Sequence, residues 1–367
     1  MPPKNDDRYG EYRKICRDIG VDALALVPGA NFTRVFDTSF HSHERPLVVI
    51  IPVEGAPAAL VPDLELRSFD LLNFEGAVFG WRDQDGYSAA FDALAAHLPL
   101  ATLAVEGQVM RVFVHHALQQ AYDKLQVIDA EREISGLRMI KSEAELNKIQ
   151  AAIEISERAL SAVLAQVRVG MSEKEVEGRL IQALFAEGAD DLAFGPIVAA
   201  GANSALPHAH AGAYQIKPGD ALLFDFGALK HGFCADITRT VFVGEPSAEA
   251  RDIYETVRAA NLKGHEVTRA GITAHEIDDA VTSVLEASPH AAHIRTKTGH
   301  GLGRDVHEAP YIMRGNHQVL HAGVVFTNEP GLYKAGAFGV RIEDDVVVTT
   351  TGCRSLTSFP KDLLVVG

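Results

Sequence analysis

ALLFDFGALKHGFCADITRTVFVG, residues 221–244, decides the fold: it reads as a hairpin that carries two carboxylates, Asp225 and Asp236. A second acidic hairpin, VVFTNEPGLYKAGAFGVRIEDDVVV at 324–348, carries Glu329 and Glu343. Between them lies the histidine-bearing stretch TGHGLGRDVHEAP, 298–310. Asp225 and Glu329 stand in or against apolar strand-like runs, where a lone carboxylate is costly to bury. That cost is tolerated when the charge coordinates a cation or finds donors. Asp225, Asp236, His300, Glu329 and Glu343 form an oxygen-rich set with one imidazole. Such a set suits divalent Mn, Co, Zn or Fe and lacks the thiolates of a structural zinc site. A single ion would leave four carboxylates in charge excess, whereas two ions can share them. Two neighbouring metals lower the pKa of a water between them and polarise a carbonyl. Taken singly, Asp225 reads as a turn cap, Glu343-Asp344-Asp345 as a solvated acidic edge and His300 as a loop histidine. Only the joint pattern singles them out.

At 367 residues the chain suits two domains, divided here as 1–132 and 133–367. Its 47% hydrophobic and 23% charged content is that of an ordinary globular protein. A formal net charge of −15 argues against nucleic acid or an anionic membrane as the main partner. The start, MPPKNDDRYG, has no apolar core of a signal peptide. No apolar run approaches the roughly 20 residues of a membrane span. Cys16, Cys234 and Cys353 are odd in number and far apart, which fits reduced thiols in a cytoplasmic setting.

The first 130 or so residues alternate helix-like segments (DRYGEYRKICRDIG, DLELRSFDLL, RVFVHHALQQAYDKL) with extended ones (DALALVP, RPLVVIIPV, ATLAVE), the pattern of an α/β domain. No Gly-rich phosphate loop follows a strand. EREISGLRMI reads as the connection into the second half. Ser142 and Glu145 then form a capping box that opens a helix with Leu146, Ile149, Ile153, Leu160, Val163 and Leu164 on one face. The second half reads as an α+β domain with an internal duplication. Arg168, Gly170, Met171, Ser172, Glu175 and Val176 recur as Arg269, Gly271, Ile272, Thr273, Glu276 and Ile277. In each copy a helix ends at the glycine and a capped helix restarts beyond it. A histidine segment and an acidic hairpin follow. Two such halves facing each other would bring the hairpins together.

These motifs resemble those of the creatinase/aminopeptidase P/prolidase family of pita-bread metallopeptidases. DFGALKHGFCADITRT resembles its two-Asp hairpin, GHGLGRDVHEAP its His motif, and NEPGLY with GVRIED its two Glu motifs. The likeness covers roughly 135–365; residues before it match the creatinase-like N-terminal domain by size and pattern only. It implies that Asp225, Asp236, His300, Glu329 and Glu343 bind two divalent metal ions, Mn, Co or Zn. Creatinases share the fold but lack this complete set. FGPIVAAGANSALPHAHAG resembles the segment whose histidine follows a proline, which makes His208 the counterpart; His307 matches the second histidine of the His motif. By resemblance, His208 and His307 bind substrate and stabilise the tetrahedral intermediate, Arg341 supports the site electrostatically, and Glu329 shuttles a proton. Attack by a metal-bridging hydroxide would cleave a peptide with proline in second position. The family also implies a homodimer.

Within the family the resemblance leaves a choice between Xaa-Pro dipeptidase (prolidase) and aminopeptidase P, and compact length favours the dipeptidase. A dipeptidase needs a cation for the free proline carboxylate. Arg314, in YIMRGNH, is the expected clamp, and His41, His43 and Arg45 could reach the site from the N-terminal domain or a partner subunit. His210, His231, His317 and His321 match no motif. A third reading, a catalytically silent interaction module of the same fold, conflicts with the complete ligand set. DFG without a Gly-rich loop or HRD is not a kinase signature, and GHGLG follows no βα unit of a Rossmann domain.

Overall fold

The computed structural model describes residues 8–40 and 43–367. His41 lies outside the described residues. The chain divides into two compact units, Met1–Arg138 and Met139–Gly367.

The first unit is built on a six-stranded sheet. Its elements are α1 (Gly10–Ile19), β1 (Ala23–Leu26), α2 (Ala30–Phe36), β2 (Val48–Pro52), β3 (Ala58–Pro62), α3 (Leu66–Asp70), β4 (Ala77–Trp81), α4 (Ser88–His97), β5 (Thr102–Val105), α5 (Val112–Ala121) and β6 (Gln126–Asp129). The strand order is β4-β3-β2-β1-β5-β6. β1–β5, β5–β6 and β3–β4 pair parallel, while β1–β2 and β2–β3 pair antiparallel. Apolar residues cover both faces, Leu24, Val49 and Phe32 on one and Ala25, Ile50 and Phe91 on the other. That two-sided burial is what a sheet with parallel strands requires. Arg45 is held within this unit by Asp83, Nη2 to Oδ2 at 2.8 Å. EREISGLRMI, expected to be a connection, is mostly helix: α6 spans Glu131–Met139, and the division between the units falls in its last turn.

In the second unit all three capping boxes close. Ser142 starts α7 (Glu143–Leu164), Ser172 starts α8 (Glu173–Ala186) and Thr273 starts α10 (Ala274–Glu286), each with its N3 glutamate returning the bond. Between α8 and α10 runs α9 (Ala248–Val267), capped by Ser247. The strands are β7 (Asp191–Leu192), β8 (Ile197–Ala200), β9 (Ala221–Phe226), β10 (Ala228–Lys230), β11 (Phe233–Cys234), β12 (Ile237–Val243), β13 (Gly299–Gly301), β14 (Glu308–Ile312), β15 (Val325–Asn328), β16 (Gly331–Lys334), β17 (Phe338–Arg341), β18 (Asp344–Val348), β19 (Cys353–Ser355) and β20 (Val365–Val366). Two sheets matter for the site, β20-β12-β9-β8 and β14-β13-β15-β18-β19.

The duplication is visible hydrogen bond by hydrogen bond. Gly170 N donates to Ile216 O and Ile216 N to Met171 O; Gly271 N donates to Leu320 O and Leu320 N to Ile272 O. Ser172 then bridges Gln215, and Thr273 bridges Val319. Gly170 and Gly271 sit at φ 89° and 90°, a left-handed turn that favours glycine at both helix breaks. Each copy has its own core. Leu146, Ile149, Ile153, Leu160 and Val163 of α7 pack with Leu222, Phe224 and Phe226 of β9, with Leu164 partly buried beside them. Val257 of α9 and Ile277 and Val281 of α10 pack with Phe326, Val346 and Val348. Full burial of each such side chain is worth about 1.5–3 kcal/mol, which anchors the strands that carry the acidic residues.

Candidate metal centre

Register delivers the first two carboxylates. β9 pairs β12 with Asp225 opposite Thr238, and Asp236 stands at the entry of β12, two residues before that threonine. Side chains two apart on a strand share a face, so Asp236 and Thr238 look the same way as Asp225. β15 pairs β18 with Thr327 opposite Asp345 and Asn328 opposite Asp344, which sets Glu329 and Glu343 just beyond this ladder. The two hairpins are stapled by Glu343 N donating to Thr238 O and by Asp236 N donating to Asp345 Oδ2, both 3.1 Å.

His300 enters on β13, between Gly299 and Gly301. A Cβ on Gly299 would lie 1.8 Å from Thr327 O, and one on Gly301 would lie 2.2 Å from Ala309 O. The neighbouring strands therefore close directly onto the backbone around His300. Its Nδ1 donates to Gly301 O at 3.0 Å, which leaves the Nε2 lone pair facing Glu329 Oε1 at 3.3 Å and Asp236 Oδ2 at 3.7 Å.

The five expected ligands come together. Ligand atoms of His300, Glu329 and Glu343 lie within 4.8 Å of one another, as do those of Asp225, Asp236 and Glu343, and those of Asp236, His300 and His307. Burial first, and then Glu343, Asp225 and other carboxylates, push Asp236 well above the usual carboxyl range. Glu343 is raised by burial and then by Glu329 and Asp225. Burial carries Glu329 up to about 7, with Arg341 opposing. His300 is pushed down to about 3, by burial and then by the charge of His307, so its ring is neutral. A neutral imidazole with its lone pair aimed at crowded carboxyl groups matches a cation placed among them, which would take the place of the protons they otherwise hold. Asp225 Oδ1 and Asp236 Oδ1 are buried without a hydrogen-bond partner, an unsatisfied state that a cation relieves. The residues present fit divalent metal ions.

Several supporting groups were not anticipated. Thr238 Oγ1 donates to Glu343 Oε2 at 2.5 Å, and Thr327 Oγ1 donates to Glu329 Oε1 at 3.2 Å. Thr327 lies two residues before Glu329, which stands just past the end of β15, and Thr238 lies two residues after Asp236, so the signal was a threonine two positions from an acidic residue. Arg341, 3% exposed, donates from Nη2 to Asp225, from Nη1 to Tyr333 Oη at 2.7 Å and from Nε to Thr238 Oγ1 at 3.1 Å. Burial works against its charge and is outweighed by Tyr333, Asp225, Glu343 and Glu329. The acidic run 343–345 is no solvated edge: all three residues are buried. Asp344 meets Arg239 at 2.8 Å, His265 at 2.9 Å and Lys361 at 2.8 Å.

A cavity of about 490 Å³ opens onto this cluster. All five acidic and imidazole residues line it, with Arg341, His208, His307, Arg295 and Lys297, and with an apolar wall of Phe194, Ile197, Pro207 and Val306. His307 sets its ring 3.9 Å from that of His300, centroid to centroid, with the two planes tilted by 53°. Both His208 and His307 are exposed to the opening. Arg314 is corrected. It does not line the cavity, and its guanidinium is tied to Asp279 at 2.9 Å and Glu286 at 2.7 Å, both on α10. His210, His231, His317 and His321 are exposed and stand outside the cavity lining.

Known proteins with this architecture set its class. The family model for Metallopeptidase family M24 matches residues 147–350, and that for the Creatinase/Prolidase N-terminal domain matches 8–140. The chain belongs to metallopeptidase family M24, and its acidic cavity carries the kind of groups that could hold a metal ion. Among relatives, a probable dipeptidase PepE from Mycobacterium bovis is 33% identical over 355 residues, 95% of this chain and 93% of the relative. The prolidase from Thermococcus sibiricus superposes with a TM-score of 0.93 at 33% identity over the whole of both chains. An X-Pro aminopeptidase from Thermotoga maritima superposes with a TM-score of 0.81 at 32% identity, over 96% of this chain and all of the other. No helix among the described residues is long and apolar enough to cross a membrane.

Proposed function

We propose that the protein is a metal-dependent exopeptidase that hydrolyses Xaa-Pro dipeptides. Asp225, Asp236, His300, Glu329 and Glu343 would hold two divalent ions. Bound there, such ions supply a water of lowered pKa and polarisation of the scissile carbonyl. Glu329 takes the proton of the attacking water and hands it to the leaving imino nitrogen, general acid–base work worth about 10²–10⁴-fold. His307 and His208 face the opening and donate to the developing oxyanion and to the substrate backbone. Arg341 holds Asp225 in orientation and, through Thr238, Glu343. The apolar wall receives the substrate's side chains and displaces water from the cluster. Cys16, Cys234 and Cys353 are free thiols, which supports a reducing, cytoplasmic setting.

The observation that carries this reading is the buried cluster of four carboxylates with His300 Nε2 turned into it, at the floor of a peptide-sized cavity. The dipeptide preference is supported by the prolidase and dipeptidase relatives. The X-Pro aminopeptidase, almost as similar in sequence, supports release of the N-terminal residue from longer Xaa-Pro-Yaa peptides instead. Hydrolysis of matched Xaa-Pro dipeptides and Xaa-Pro-Yaa tripeptides by manganese-loaded enzyme separates them. Faster tripeptide turnover replaces the first reading with the second, and cleavage of neither removes both.

A further inference from the structure

Three cations line the cavity, and they are not equivalent. Arg341 is committed to Asp225, Tyr333 and Thr238. Arg295 is drawn back to its own turn, with Nη1 donating to the carbonyls of Ala292 and Ile294, both at 2.7 Å. Lys297 has neither a hydrogen bond nor an ion pair with any described residue. Its ammonium rests over the Tyr311 ring, 5.4 Å from the centroid, a contact that holds a cation in place without neutralising it. Tyr311 is the strand partner of His300 in the β13–β14 ladder, so this unspent charge stands beside the imidazole side of the cluster. Its field reaches the reacting groups: it favours ionised Glu329 and disfavours protonated His307 and His300.

We infer that Lys297 recognises the free C-terminal carboxylate of the substrate and is the residue that selects dipeptides over longer chains. The inference rests on the exopeptidase reading above. In an Xaa-Pro dipeptide the chain ends on the leaving residue, so a full negative charge lies a few bonds from the scissile carbonyl. In a longer peptide a neutral amide occupies that place and offers Lys297 no ion pair. A charge-assisted bond between ammonium and carboxylate is of the strong class. Its loss corresponds to roughly a ten- to hundredfold change in selectivity. The role expected of Arg314 thus passes to a lysine three residues before His300.

The test compares alanyl-proline with alanyl-prolinamide on manganese-loaded wild type, Lys297→Met and Lys297→Arg. The readout is the ratio of kcat/KM for acid over amide. It should fall at least about tenfold in Lys297→Met, through KM more than kcat, and be largely restored in Lys297→Arg. A ratio unchanged in Lys297→Met, or equal losses on acid and amide, overturns the assignment. Should wild type cleave neither peptide, the exopeptidase reading fails separately. Calorimetric titration with the same two peptides then decides. Preferential binding of the acid by wild type, lost in Lys297→Met, sustains the carboxylate site, and equal or absent binding removes it.

Discussion

Thr238→Val removes one hydroxyl from the wall of the metal centre while leaving the branched shape. That hydroxyl donates to Glu343 at 2.5 Å and accepts from Arg341 Nε at 3.1 Å, and the side chain is fully buried. A hydrogen bond to a charged carboxylate contributes about 1.5–3 kcal/mol. Without it Glu343 is free to turn away from the cavity and the Arg341 Nε–H is left unpaired. At about 1.4 kcal/mol per factor of ten, Mn²⁺ binding should weaken roughly ten- to hundredfold, the range for removal of a ligand's supporting partner. Calorimetric titration of Mn²⁺ into cation-free protein reads the affinity, and thermal denaturation checks that the fold survives. Thr327→Val is the internal comparison. Its hydroxyl donates to Glu329 at 3.2 Å and accepts from His300 N at 3.1 Å, both longer than the Thr238–Glu343 bond, so its effect should be smaller than that of Thr238→Val. Wild-type affinity in Thr238→Val, or a larger loss in Thr327→Val, would refute the view that these threonines aim the glutamates.

Four further outcomes follow from the same structure. Asp236, Glu343 and Glu329 are raised above the usual carboxyl range, so the cation-free fold keeps protons near neutrality that divalent ions must displace. Mn²⁺ binding should therefore release protons and tighten as pH rises, and a binding heat independent of the buffer's ionisation heat would contradict this. By the same sign, the cation-free fold should lose stability as pH climbs through those raised values, because the folded chain holds protons the unfolded one has shed. Lys141 Nζ meets Glu308 Oε1 at 2.6 Å with both side chains 2% exposed; Lys141→Met should cost about 3–5 kcal/mol in thermal denaturation, and a melting curve like wild type would show the pair to be dispensable. Arg314→Ala, at an exposed ion pair, should change stability by less than about 1 kcal/mol and leave the dipeptide-to-tripeptide rate ratio untouched; a selective loss on dipeptides would restore it as the clamp.

What could be read from the chain was whatever is local. Capping boxes at Ser142, Ser172 and Thr273 are written within four residues, and all three formed. The repeat was legible because both glycines need the same left-handed turn. AALVP and AVFGW are short runs without alternation, so β3 and β4 escaped notice, as did β6 and the helices α2 and α4. The burial of Asp344 was illegible for a different reason: Arg239 and His265 are 105 and 79 positions away, and only tertiary packing supplies them. Arg314 failed likewise. Its loop looked free because the acids that hold it lie on α10, 28 and 35 positions earlier.

Glu343, Asp344 and Asp345 are consecutive, yet each has a different appointment: the cavity, a cationic nest of Arg239, His265 and Lys361, and the backbone amide of Asp236. Slide the strand by one position and a carboxylate meant for the cavity would meet an arginine, while the nest would face an amide it cannot satisfy. Misaligned pairing is thus penalised by charge at three successive positions, where shape alone would hardly tell one acid from the next. The strand proofreads its own alignment.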